Sequence, residues 1–138
     1  MLRLLLATAI GWVIGRERKI HAGSGGGSRT MALLCLSACF LAVFSKELVS
    51  SGYTFDFSRL MAYFLPAIGF LGMSIVNRHD EKIDGLTTSA TLLVLLPIGF
   101  AIGIGYYFYG IITSIIVYFI LESKYVLHKG ENNVKSLD

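Results

Sequence analysis

Residues 85–121 read GLTTSATLLVLLPIGFAIGIGYYFYGIITSIIVYFIL, a run of 37 residues without one Asp, Glu, Lys or Arg. A helix rising 1.5 Å per residue needs about 20 largely apolar residues to cross the hydrocarbon of a bilayer. The run is too long for one such helix and suits two. Gly103-Ile104-Gly105 is the expected break, because glycine weakens a helix interior and permits a turn. Tyr106, Tyr107 and Tyr109 beside it suit the aromatic belt of a membrane interface.

Residues 4–15, 30–45 and 60–77 are also free of Asp, Glu, Lys and Arg, so 83 of the 138 residues lie in four uncharged tracts. Apolar residues make up 54% of the chain and charged ones 15%, with mean hydropathy +0.67. Ordinary soluble domains carry roughly 45–50% and 25%. A chain of one-domain length cannot cover that much uncharged surface with its remaining residues. A soluble enzyme, a disordered chain and a secreted disulfide scaffold are excluded. The expected fold is all-α, a polytopic membrane helix bundle with spans near 2–18, 29–46, 60–77, 86–103 and 105–122, then a short tail at 122–138. The first span is short: residues 1–15 cover about 22 Å of a roughly 30 Å core. It is expected to continue through Arg16 and Lys19 with their charged heads snorkelling. Those charges stand where a signal peptide would carry small residues for cleavage.

Basic residues orient the bundle. Arg16, Arg18, Lys19, Arg29, Arg78, Lys82, Lys124, Lys129 and Lys135 fall on one side of a five-span arrangement, and Arg3, Lys46 and Arg59 on the other. The positive side faces the cytoplasm, so the N-terminus is expected outside and the C-terminus inside. A four-span arrangement would put one basic cluster on the wrong side. Basic helix ends also account for the net charge of +3, and no nucleic acid partner is expected.

Membrane helices associate by close backbone approach, which favours small residues. Ala7, Gly11 and Gly15 recur every four residues, as do Cys35 with Cys39 and Ala38 with Ala42. Gly69 and Gly72, then Gly99 and Gly103, mark the third and fourth helices. All read as packing positions. The two cysteines share their depth with no His or further Cys, so no metal site and no cofactor is expected. Pro66 and Pro97 lie inside helices and should kink them.

Polar residues gather at the cytoplasmic level: Glu17, Arg29 and Thr30, Asn77, Arg78, Asp80 and Lys82, then Asp84-Gly85 and Thr87, Thr88 and Thr91. Asp84 reads as the N-cap of the fourth helix, Glu17 and Arg29 as an ion pair joining the first two helices. Thr87 and Thr91 share a face, and Thr88 points elsewhere. The segment GSGGGSRT (23–30) approaches a phosphate-binding loop, but Ser28 and Arg29 replace its Gly and Lys and no strand precedes it. Nucleotide hydrolysis is excluded; holding a phosphate or headgroup is the remaining functional reading beside that of a flexible connection.

The ordered motifs AIGWVIGRER (9–18), Ala22-Gly23 leading to Arg29-Thr30, IGFLG (68–72), GLTTSATL (85–92), Ile98-Gly99, Gly103 and Gly105-Tyr106 make the chain resemble the MgtC/SapB family over about residues 2–121. The resemblance implies a five-span domain of the cytoplasmic membrane and a role in adaptation to magnesium limitation. It also implies action as a regulator through membrane partners, the ATP synthase among them, and it carries over Glu17, Arg29, Thr30, Gly69, Gly72, Gly85, Thr87 and Thr88. Longer members carry a soluble C-terminal regulatory domain after the last helix; only the short tail 122–138 stands there in this sequence, so functions of that domain are not carried over. The Gly/Ser insertion at 24–28 and Met73-Ser74 depart from the family pattern.

Two functions are therefore expected to compete. One is a non-enzymatic membrane regulator, self-associating through a small-residue helix face. The other is a small ion or solute transporter whose entrance is the polar cluster. Only Ser37, Ser74, Thr113 and Ser114 are expected as polar groups near mid-membrane in the last four helices, and no charge, which weighs against a cation path.

Overall fold

A computed structural model describes residues 1–22, 27–79 and 82–134. The helices are α1 (Leu2–Ala22), α2 (Ser28–Ser50), α3 (Phe57–Met73), α4 (Leu86–Ile104) and α5 (Tyr107–Val134). Between α3 and α4 lies an antiparallel pair of three-residue strands, β1 (Asn77–His79) and β2 (Lys82–Asp84). The all-α expectation holds for the five main elements.

Helix bounds follow from local chemistry. The first helix does continue past Arg16 and Lys19, and its 21 residues span about 31 Å. The third begins before Leu60, because the Asp56 side chain accepts from the amides of Ser58 at 2.9 Å and Arg59 at 3.3 Å. Such a cap satisfies donors that the first turn leaves unpaired. It also ends before Asn77: Ile75 and Val76 close the last turn with bonds to Gly72 and Met73. Asn77 therefore starts β1, opposite Asp84. The break in the long uncharged run falls at Gly105, whose φ of +114° is the left-handed conformation that glycine adopts readily. Both α3 and α4 run on through Pro66 and Pro97.

α2 is the central rod, packed along α1 on one side and α4 on the other. Contact there is backbone-close. A Cβ on Gly11 would lie 2.7 Å from the Met31 carbonyl oxygen, and one on Gly15 2.7 Å from Ser28 Cα. On the other side, a Cβ on Gly99 would lie 2.6 Å from the Cys35 carbonyl oxygen and one on Gly103 2.6 Å from that of Cys39. The core between these helices holds Ala7, Ile14, Met31, Cys35, Cys39, Leu92, Leu95, Ile98 and Ile102, all buried. α3 lies against α4 through Ile68 and Gly72, and α5 lies against α4 and α1.

The outer surface is the reverse of a soluble protein's. Trp12, Phe40, Phe44, Tyr63, Phe70, Phe108, Phe119 and Ile120 are exposed, Phe70 to 77%. Apolar surface on that scale marks an interaction or membrane face. By length and composition α2 and α4 are long and apolar enough to cross a membrane; α3 and residues 107–123 are shorter apolar helices.

Candidate functional site

The glycine contacts fix how the helices are staggered. Gly15 meets Ser28, Gly99 meets Cys35, and Gly110 meets the side chain of Ile102. Stepping 1.5 Å per residue from those points puts the end of α1, the start of α4 and the Tyr118–Glu122 turn of α5 at one level. Glu17 and Arg18 lie there, 5% and 4% exposed, joined by Arg18 Nε donating to Glu17 Oε2 at 3.1 Å. Thr88 and Thr91 are buried at that level too, 1% and 3% exposed. Tyr118 stands one turn before Glu122 on α5, and both Glu122 and Glu17 act on it electrostatically.

Buried charges are tolerated when they are paired. The Glu17–Arg18 pair has lost most of its water, so its mutual attraction is far stronger than at a surface. Thr91 donates its hydroxyl to the Thr87 carbonyl at 2.8 Å, a back-bond that hydroxyls in helices commonly make.

Several expectations need correction. Glu17 pairs with Arg18; Arg29 is exposed and forms no ion pair among the described residues. The buried threonines are Thr88 and Thr91, spaced three apart on one face, whereas Thr87 is exposed. The N-cap of α4 is Gly85, not Asp84, and no side chain bonds the cap. Its φ of +88° and the Ile75 carbonyl pressed against it both favour glycine. Closure of the β1–β2 pair moves Asp84 into a strand and leaves Gly85 to make the turn. Thr30 is exposed at the start of α2. The Asn77 and Asp84 side chains, Asp80 and the Gly/Ser loop at 23–26 lie outside the described residues.

The packing glycines divide. Gly11, Gly15, Gly99 and Gly103 are consumed inside one chain, and a Cβ on Gly72 would overlap Ser89. Gly69 is exposed, with nothing within 4 Å of where a Cβ would be. Arg18 and Tyr118 were missed as site residues. Arg18 continues the Ala7, Gly11, Ile14 stripe at helical spacing, so periodicity could have found it; no local signal marks Tyr118.

The opposite end of the bundle is closed by two cations. Arg3 Nη1 donates to the Gly103 carbonyl at 3.0 Å, and Lys46 Nζ to that of Ile104 at 3.2 Å. They satisfy carbonyls that the last turn of α4 leaves free and complement its dipole. Arg3 Nε also donates to the Tyr107 hydroxyl at 2.7 Å. Between the two ends, Ser37 and Ser114 give their hydroxyls to carbonyls of their own helices; Ser74, expected near mid-membrane, instead caps α3 at the level of the α4 start, because the helix ends at Met73 and Gly72 packs on Ser89. Among the described residues no three His, Cys, Asp or Glu side chains converge.

Known proteins are similar to this chain in sequence. The chain is 33% identical over 127 residues to YhiD of Escherichia coli (strain K12), described as a candidate magnesium transporter, covering 88% of this chain and 59% of that protein. It is 34% identical to protein SapB of Bacillus subtilis (strain 168), covering 78% and 48% of the two chains. Against protein MgtC of Brucella abortus (strain 2308) it is 31% identical, covering 80% and 45%. The chain thus spans between about half and three-fifths of the length of these relatives. No solved structure matches it. The family match extends over residues 4–130, from the first turn of α1 into the distal part of α5, and the chain belongs to the MgtC family.

Proposed function

We propose that the chain is a bilayer-embedded, non-enzymatic member of its family, serving magnesium-linked physiology by contacting a membrane protein partner. In this reading all five helices cross the cytoplasmic membrane, with the N-terminus outside. The Glu17–Arg18 end is cytoplasmic. The observation that carries the reading is the contrast between that end and the rest of the bundle. Charges and hydroxyls collect at one level, while the interior beyond it is dry and close-packed. Glycine-to-backbone contacts bring α1, α2 and α4 close together at Gly11, Gly15, Gly99 and Gly103. The recess between α2, α3 and α4, around Leu41, Phe64 and Phe100, has no volume open to a water molecule. A transported cation needs polar groups along its path, and of the hydroxyls between the two ends those of Ser37 and Ser114 are already bonded to backbone carbonyls.

Burial sorts the site by role. Glu17, Arg18, Thr88 and Thr91 hold the helices in place, and the exposed Arg29, Thr30 and Thr87 are the groups a partner meets. The ATP synthase is one partner to test. The second reading, transport, draws support from the description of the Escherichia coli relative and from the buried charges.

Purification in mild detergent should recover a membrane protein with the wild-type chain, and Arg29→Ala with Thr87→Ala should lose it while leaving the fold intact. Reconstituted in liposomes, the chain should pass no Mg²⁺. Mg²⁺ flux that Glu17→Gln abolishes would overturn regulation in favour of transport.

A further inference from the structure

Between α1 and α5 an open groove of about 390 Å³ is lined by Ala9, Ile10, Val13, Ile14 on one wall and Ser114, Ile115, Tyr118, Phe119 on the other. Its size lies within the range of small-molecule sites, roughly 300–1,000 Å³. Its one polar side chain deep in the wall, Ser114, donates to Gly110, so nothing there calls for a polar occupant. Ile14 forms the floor at 2% exposure, and Val13 and Phe119 form exposed rims.

The groove has a direction. One turn past Val13 and Ile14 on α1 comes Glu17, and one turn past Tyr118 on α5 comes Glu122, near enough to act on its hydroxyl. Arg16 and Arg18 are each turned about 100° round the helix from Glu17, one to either side, and Lys19 farther, onto the opposite face. The groove therefore runs from an apolar interior to a mouth bearing two carboxylates and a phenol, flanked by the guanidiniums of Arg16 and Arg18, the second paired with Glu17. An apolar length ending in carboxylates set between guanidiniums complements a hydrocarbon chain ending in a zwitterion, its ammonium toward Glu17 and Glu122.

We propose that this groove holds one acyl chain of a phospholipid whose ammonium headgroup lies at the Glu17–Glu122 mouth, as in phosphatidylethanolamine. The inference rests on the membrane reading above. A bilayer supplies such a lipid at high local concentration, and an acyl chain, unlike a polar ligand, leaves no donor unpaired against these walls.

The test uses the full chain in nanodiscs of equal phosphatidylethanolamine and phosphatidylglycerol, extracted gently and weighed by native mass spectrometry. Wild type should retain about one phosphatidylethanolamine per chain. Ala9→Trp, which fills the groove from its rim, should abolish retention with the melting temperature unchanged. Glu122→Lys should shift the headgroup preference toward phosphatidylglycerol by at least about fivefold, the worth of one charge at a bilayer surface. Retention that Ala9→Trp leaves unaltered, or a retained population matching the bulk mixture, would overturn the proposal. So would a peptide helix in place of lipid, crosslinked to Ala9→Cys. A chain released from membranes by alkaline washing would defeat the membrane reading itself, an outcome distinct from an embedded chain that holds no lipid.

Discussion

Gly99 and Gly69 are the same residue with opposite roles. At Gly99 a Cβ would press to 2.6 Å from the Cys35 carbonyl, which is backbone and cannot swing away. Gly99→Val should therefore lower stability in detergent by about 1–3 kcal/mol, as overpacking does. Gly69→Ala meets nothing and gains helix propensity, so its melting temperature should hold or rise slightly. A thermal melt of both variants checks the pair; equal losses would refute the close-contact account. The buried Glu17–Arg18 pair behaves differently again. Glu17→Gln leaves a guanidinium buried without its counter-charge and should cost on the order of 3 kcal/mol. Replacing both residues, Glu17→Gln with Arg18→Gln, should cost less than the sum of the single changes, which a double-mutant cycle measures.

Elements here are defined at their ends. α4 is capped from afar by Arg3 and Lys46, which reach it from α1 and α2. α3 is capped locally by Asp56, whose carboxyl lies below its ordinary value of 3.8 because the Ser58 hydroxyl and the Arg59 amide bond its charged form. A depressed acid contributes stability that is complete above its unfolded-state pKa and is lost as pH falls through the folded one. The α3 start should therefore stay ordered down to pH 3.8 and loosen below it. Amide exchange at Ser58 and Arg59 should show this, and Asp56→Ala should remove the pH dependence. Loosening that began well above pH 3.8 in the wild type would contradict the cap. The third helix had been expected at Leu60, after Arg59; its true start was readable from Asp56 two residues ahead of Ser58, a side chain with the reach to cap a first turn.

At the scale of the molecule, the proposed five-span orientation makes opposite ends of α2 face opposite compartments. Lys46→Cys should react with an impermeant thiol reagent on intact cells, and Arg29→Cys only after permeabilisation. Native Cys35 and Cys39 are fully buried and should stay silent. Labelling of both engineered positions from one side would refute the orientation. The glycines of α1 and α4 that face α2 are spent within one chain, so self-association is expected through another exposed apolar surface, such as that of Gly69 and Phe70 on α3.

Local physics made much of this legible in the sequence. Uncharged tracts of helix length, broken by Gly105 and bounded by basic residues, give five helices in order, and small residues at four-residue spacing give the faces along which they meet. Those are properties of a segment alone. Which threonine is buried, which cation Glu17 pairs with and that α5 brings Tyr118 to the same level are not. They depend on the rotation and stagger of whole helices, set by where Gly15 meets Ser28 and Gly99 meets Cys35, contacts between residues far apart in the chain. The sequence determined the elements and their sticky faces; only the assembled bundle decided which polar groups share one end.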